Sequence, residues 1–431
     1  MKNEREISAD ILVQIIKSGA YNNIILRKTL TSETGLSETQ KAFITENVNG
    51  VLRNLIYIDY IIDSFSKLPA NKMKPFIAAV LRSAAYQIMF MDKVPTFAAC
   101  DEAVKIVKRR GFSNLSGFVN GVLRNVAKNS KSVTLPYKNT HAVEYLSVKY
   151  SYPKWIIEHF LTEYDIEKTE EICAISVMPS KVCICVNNMR TSRGELLNRL
   201  QKEGVIAENG VDENLLYIKG TGDLSELSVF KEGLFHIIDE NAVKAVYALE
   251  PSKNDIVIDM CAAPGGKSFS LAYLMENTGK IYANDIFDHK INLIKTGAKR
   301  LGIENIDAQI DDAAVLNEAF LNYADKVLVD APCTGLGIIR KKPDIKYRRT
   351  SLDIKNLAKM QRDILKTAAQ YVKPEGILVY STCTLSKAEN EDNAGWFKDN
   401  HSFELLSSET FLPKAGGGDG FFVAKFRRKS D

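Results

Sequence analysis

The sequence predicts a multidomain chain in three parts: an all-α domain at residues 1–135, a small α/β connecting module at 136–235, and a doubly wound α/β domain at 236–431. Its 431 residues exceed the usual size of a single hydrophobic core. In the first part apolar residues recur at helical spacing, as at Ile11, Leu12, Ile15 and Ile16 and again at Val80, Leu81, Ala84 and Ile88. In the last part the short apolar runs DIVIDM, KIYANDI, IDAQIDD, KVLVDA and GILVYST alternate with helical stretches. That alternation predicts a mostly parallel sheet with its ligands beyond the C-terminal ends of the strands.

With 45% hydrophobic and 26% charged residues the chain has the composition of a soluble globular protein. Its net charge of +4 permits a nucleic-acid partner without requiring one, because local patches decide that. MKNEREISAD lacks the apolar core of a secretion signal, and no uncharged apolar run approaches the length of a membrane span. A cytoplasmic protein is expected, with no membrane association, no metal and a monomeric state. Seven cysteines, an odd number in so long a chain, indicate reduced thiols rather than a disulfide framework. Cys183 and Cys185 form a C-x-C in the alternating run KVCICVN, but no second Cys or His cluster stands nearby to complete a metal site. Cys100 and Cys173 lie on apolar helical faces and read as core residues.

The heptapeptide VNGVLRN occurs twice in the helical part, at 48–54 and 119–125, with unmatched flanks that argue against a repeat array. Each copy sets two valines and a leucine on one helical face and leaves Arg53 or Arg124 outside it. A core face explains the pattern, and phosphate contact by the arginine is the functional alternative. The stretch LRSAAYQIMFMDKVPTFAACDEAVKIVKRRGFSNLSGFVNGVLRN, with the earlier AYNNIIL, resembles the NusB family of helical RNA-binding domains. The basic run Lys105, Lys108, Arg109 and Arg110 ends one of its helices, where either a favourable helix C-terminus or RNA contact accounts for it. In the middle part SYPKWIIEHFLTEY reads as a helix after Pro153, KVCICVN as a strand, RGELLNRLQKEG as a helix and LLYIKG as a strand.

DIVIDMCAAPGGKS places a glycine pair between a strand and a helix start, where backbone can approach a ligand closely. The next strand ends in Asp285, twenty residues beyond Gly265, a spacing suited to hydrogen bonding with ribose hydroxyls. The G-x-G-x-x-G fingerprint of a pyrophosphate cradle is missing. A nucleoside-type ligand such as S-adenosylmethionine is therefore favoured over a dinucleotide. The third strand ends in Asp311 and Asp312, either of which could reach an adenine; the neighbouring Ala313 favours Asp312.

Two strand ends then carry cysteines. Cys333 follows Asp330 and Pro332 in VLVDAPC, and Cys383 follows VYST. A thiolate adds reversibly to an electron-poor carbon such as C6 of cytosine, which turns C5 into a nucleophile able to accept a methyl group. An acid at N3 would assist the addition, and Asp330 stands beside the thiol. CAAPGGKS, DAPCTGLGIIRKKPD and YSTCTLSKAENE are similar to the signatures of RNA cytosine-C5 methyltransferases. With the NusB-like N-terminus, nearly the whole chain resembles the Sun/Fmu (RsmB) family of bacterial 16S ribosomal RNA methyltransferases. The resemblance implies a Rossmann-like methyltransferase domain with S-adenosylmethionine as cofactor. It implies Cys383 as the nucleophile at C6, Cys333 as an aid to product release, and Asp330 as a contact to the base. Cys261, Ala262, Ala263, Pro264, Gly265, Gly266 and Lys267 would enclose the methionine part of the cofactor, with Asp285 on the ribose and Asp312 and Asp330 also in the cofactor site.

The loop 338–349 carries Arg340, Lys341, Lys342, Lys346, Arg348 and Arg349 against one acid, Asp344. Beside a base-modifying site such a run is expected to clamp RNA phosphates. The target base must be unpaired or flipped to reach the thiol. The acids and amides of KAENEDN are expected to orient the Cys383 loop, and FFVAKFRR to form an edge strand after a glycine-rich turn. A dehydrogenase would share the sheet and Asp285 but has no need of two strand-end cysteines. A non-catalytic RNA-binding factor would explain only the N-terminal part. A transfer-RNA cytosine methyltransferase is the nearest rival, because the same motifs serve several RNAs.

Overall fold

The computed structural model describes residues 2–219 and 223–430. The chain forms two compact units, one ending at Met178 and taking in Ile339–Arg349, the other running Pro179–Ile338 and from Thr350 onward.

The first unit is helical throughout: α1 Glu4–Ser18, α2 Asn22–Ser32, α3 Glu38–Arg53, α4 Leu55–Asp63, α5 Pro75–Phe90, α6 Thr96–Arg109, α7 Ser116–Asn129, α8 Ala142–Tyr150, α9 Lys154–Glu163 and α10 Ile166–Ser176. Local chemistry fixes the helix ends. Asn3 caps α1 by accepting from the Glu6 N–H, and Ser37 with Gln40 closes a capping box on α3. The two copies of VNGVLRN put Val48, Val51 and Leu52 on α3, and Val119, Val122 and Leu123 on α7, into one core. Arg124 is exposed, whereas Arg53 is half-buried, with Glu46 4.0 Å away. Arg82 on α5 is buried and forks onto both oxygens of Asp59 on α4 at 2.7 Å. The expected middle module is divided: α8 to α10 fold with the helical unit, where Ser151 accepts from the Tyr57 N–H at 3.0 Å.

In the second unit a four-stranded antiparallel sheet has the order β2-β3-β1-β4, from β1 Val182–Val186, β2 Ile206–Asn209, β3 Leu215–Lys219 and β4 Phe235–Ile237, with α11 Arg193–Lys202 and α12 Ser228–Lys231. The run LLYIKG is this third strand as far as Lys219; Gly220 lies outside the described residues. Cys183 and Cys185 enter one core and Ile184 and Val186 the other, so this strand is covered on both faces.

The remaining strands are β5 Ile256–Asp259, β6 Lys280–Asp285, β7 Ile306–Ile310, β8 Ala324–Asp330, β9 Val372–Thr382, β10 Phe403–Phe411 and β11 Phe421–Arg428. The helices are α13 Glu240–Leu249, α14 Gly266–Leu274, α15 Asp288–Leu301, α17 Ser351–Tyr371 and α18 Glu391–Asn400, while α16 Ile345–Arg348 belongs to the first unit. The sheet order is β10-β11-β9-β8-β5-β6-β7, parallel from β9 through β7. From β5 the chain builds outward to β7, then returns to place β8 on the other side of β5. The loops after β5 and β8 therefore open at the topological switch point, where such sheets bind ligands. One expectation is corrected: FFVAKFRR is interior, antiparallel to both β9 and β10. Phe421 and Val423 fill one core and Phe422, Ala424 and Phe426 the other, so both faces need cover. The edge falls to β10, whose exposed residues are mostly polar.

Candidate active site

Asp330 ends β8 opposite Ser381 near the end of β9, so parallel register sets the two cysteine loops side by side. Ala331 N–H donates to the Ser381 carbonyl at 2.9 Å, continuing the ladder one residue past β8. The Sγ atoms of Cys333 and Cys383 are 3.3 Å apart, both partly exposed and both free thiols. The hydrogen bond with Cys383, together with burial, raises the Cys333 thiol well above its ordinary value. Asp330 is held on both oxygens, by Lys267 Nζ at 2.6 Å and Ser381 Oγ at 3.0 Å. Burial alone would lower the Lys267 ammonium, but Asp330 outweighs it and the pKa rises.

Backbone contacts lock the far side of the pair. Gly337 N–H donates to the Cys383 carbonyl at 3.0 Å, and Gly420 N–H to the Gly337 carbonyl at 2.9 Å. A Cβ on Gly337 would stand 2.2 Å from the Gly420 oxygen, so only glycine permits this approach.

The loop after β5 builds the other half of the site. Ala262 N–H bonds the Asn284 carbonyl at 2.8 Å, and Gly265, at φ 108, turns the chain into α14. Any side chain there would meet the left-handed penalty and the Phe269 ring, 2.4 Å from a Cβ. Cys261, Ala263 and Pro264 lead into this turn, and Gly266 and Lys267 open the helix after it. Burial raises the Cys261 thiol, which argues against nucleophilic use. Asp259, fully buried with Ser268 Oγ at 2.6 Å, is pushed up to about 7, chiefly by desolvation.

The residues fit the cofactor that the resemblance implies. Asp259 Oδ1 and Asn284 Oδ1 are buried without a donor, and Asp285 accepts from the Phe287 N–H at 3.3 Å and from Lys290. These strand ends are acceptor-rich, as an ammonium and ribose hydroxyls require. Asp311 takes the Asn284 amide at 3.1 Å and its carboxyl is raised by burial, whereas Asp312 is exposed and caps the Ala314 N–H at 3.0 Å.

The basic loop departs from the expected clamp. Lys341 and Lys342 are exposed, and Arg348 and Arg349 are half-buried. Arg340 and Lys346 are interior, 3% and 1% exposed, and cannot meet phosphate in this arrangement. Lys346 Nζ donates to the Arg53 carbonyl at 2.9 Å, lies over the Tyr152 ring, and is pushed down by burial to about 7. Tyr347 donates to the carbonyls of Leu52 at 2.9 Å and Ser151 at 3.2 Å, and the Arg348 guanidinium covers Tyr21. Sequence reasoning missed Ser381, Thr334 and Gln361. The first two sit inside the cysteine motifs and could have been found there. Gln361 lies in a helix with no local signal. Among the described residues no group of three or more His, Cys, Asp or Glu could hold a metal, and no helix is long and apolar enough to cross a membrane.

Comparison with known proteins identifies the family. Residues 246–427 match the model of the 16S rRNA methyltransferase RsmB/F family, residues 2–128 that of the NusB family, and residues 152–220 that of the RsmF/B-like ferredoxin-like domain. The chain is 37% identical to the probable ribosomal RNA small subunit methyltransferase B of Bacillus subtilis, over 99% of this chain and 98% of that one. It is 31% identical to the protein of the same name from Synechocystis, covering 99% and 100%. Among solved structures it resembles PH0851, with TM-score 0.82 and 27% identity over 99% of each chain. It also resembles NSun6 from Pyrococcus horikoshii, crystallised with SFG, with TM-score 0.60 and 26% identity over 65% of this chain and 99% of that one. The chain belongs to the ribosomal RNA small subunit methyltransferase B family.

Proposed function

We propose that this S-adenosylmethionine-dependent ribosomal RNA cytosine-C5 methyltransferase works through a covalent bond between Cys383 and C6 of one cytosine in 16S ribosomal RNA. The 3.3 Å spacing of Cys333 and Cys383 beside Asp330 carries this reading. Cys383 attacks as thiolate, and the electron pair of the C5–C6 double bond moves toward C5 and the ring carbonyl. Asp330, steadied by Lys267 and Ser381, faces N3 and holds there the proton that Cys383 gave up. The turn Cys261 to Lys267, with Asp285 at the ribose and Asp312 at the adenine, would hold S-adenosylmethionine, which would supply an electrophilic methyl group to C5 and leave as S-adenosylhomocysteine. Asp312 is the more exposed of the two acids, and Asp311 is engaged by the Asn284 amide.

Cys333, its own proton first released to water, then takes the proton from C5 as the C6–Sγ bond breaks and the ring double bond returns. The hydrogen bond with Cys383 and burial both raise the Cys333 thiol, and the first of these causes goes when the Cys383 sulfur bonds carbon.

We assign RNA phosphate contact to Lys341, Lys342, Arg348 and Arg349. A monomeric state and a cytoplasmic location complete the proposal. The test is incubation with methyl-labelled S-adenosylmethionine and separate 16S and transfer RNA transcripts, followed by digestion to nucleosides. Label in 5-methylcytosine from 16S RNA alone is expected; label from transfer RNA alone overturns the substrate.

A further inference from the structure

Behind the two thiols lies a polar network that the reaction outlined above does not use. Gln361 of α17, Glu389, Asn390, Asn393, Thr334 and Thr384 are each 0% exposed. Gln361 spends its whole amide here. Nε2 donates to the Pro332 carbonyl and to Glu389 Oε2, both at 3.0 Å, while Oε1 accepts from Tyr380 Oη at 3.1 Å and Asn393 Nδ2 at 2.9 Å. Glu389 also receives the Thr334 N–H at 2.9 Å and the Thr334 hydroxyl. Thr334 Oγ1 meets Thr384 Oγ1 at 2.7 Å, and Asn390 ties the second loop by donating to the Thr384 carbonyl at 3.1 Å and accepting from Thr382 Oγ1 at 2.6 Å.

The residues on either side of Cys333, Pro332 and Thr334, and those on either side of Cys383, Thr382 and Thr384, are thus bound to one buried framework. A carboxylate in a dry interior is costly unless fully hydrogen-bonded, and a hydrophobic residue could fill the same space at less cost. A satisfied buried network, in return, is rigid. We propose that Gln361 and Glu389 are positioning residues that fix the separation of the Cys333 and Cys383 thiols. This rests on the reading of those thiols as the reactive pair.

Thiol–disulfide exchange reads the separation without any methyl transfer. Oxidised glutathione accepts the thiolate of one cysteine and releases one reduced glutathione. The second cysteine then displaces the other, so the protein loses two hydrogens and the oxidant gains them. Closing from 3.3 Å to a bond of about 2.05 Å needs little movement if both loops are held. The experiment equilibrates the full chain with glutathione buffers, maps the Cys333–Cys383 linkage by peptide mass, and compares Gln361→Glu, an isosteric change that leaves at most one of the two donated bonds. For the variant the equilibrium constant is expected to fall at least about 10-fold and kcat of order 100-fold, with KM for RNA within about twofold. Glu389→Gln is made in parallel and carries the test if the first variant does not fold. An unchanged equilibrium constant in a folded variant overturns the proposal, whatever kcat does. A reduced constant with unchanged kcat upholds the positioning role and removes the covalent reading beneath it.

Discussion

Replacing Lys267 by Met keeps the length of the side chain and removes the cation that holds Asp330. The pair is 2.6 Å apart, with side chains 11% and 31% exposed. Deleting one partner of a buried pair costs about 3–5 kcal/mol, because the other charge is left without compensation. Here Asp330 keeps Ser381 at 3.0 Å and part of its solvent, so the expected cost is lower, about 2–3 kcal/mol by the same reasoning. For a unit of this size that lowers the melting temperature by roughly 4–12 °C. Asp330→Asn with Lys267→Met removes both charges, and the double variant should be less destabilised than the sum of the singles by about 1–2 kcal/mol. Urea unfolding of the four proteins at pH 7 measures that coupling. Additivity within about 0.5 kcal/mol would refute the claim that the two groups act as one unit.

Three further outcomes are expected. His236, fully buried between Ser270 and Tyr273, is held down to about 3 by desolvation, with Arg300 adding to the effect. Its folded pKa lies below its unfolded one, so stability is full above about pH 6.5 and falls by about 1.4 kcal/mol per pH unit below it. His236→Phe should flatten the slope of unfolding free energy between pH 6 and 4 relative to the wild type, and parallel slopes would contradict this. Gly337→Ala drives a Cβ to 2.2 Å from the Gly420 oxygen and 2.8 Å from that of Cys383. It should reduce kcat at least about 10-fold while cofactor binding, followed by calorimetry, is kept. Replacing exposed Lys341 and Lys342 with Ala should lower the slope of log affinity against log salt for 16S RNA by about 1–2, and an unchanged slope would remove both from the phosphate contacts.

The parallel strands were legible because β5 to β9 are short apolar runs that each end in a polar motif, and the same strand ends carry Asp285, Asp330, Cys333 and Cys383. The burial of Lys346 was not. Its partners, the Arg53 carbonyl and the Tyr152 ring, lie far away in sequence, and a charged run reads as solvated until they are known. Gln361 was hidden for the same reason: a polar residue in an amphipathic helix declares nothing until its neighbours are placed. The interior position of β11 was readable after all. Phe421 to Phe426, with the exception of Lys425, are apolar on both faces, a pattern of central strands.

The covalent step is the central claim, and Cys333→Ala tests it most directly. With Cys383 able to attack and the base for release removed, incubation with S-adenosylmethionine and 16S transcript should accumulate a denaturation-resistant protein–RNA adduct, mapped by mass spectrometry to Cys383. Normal turnover without adduct, or 5-methylcytosine formed by Cys383→Ala, would contradict the account.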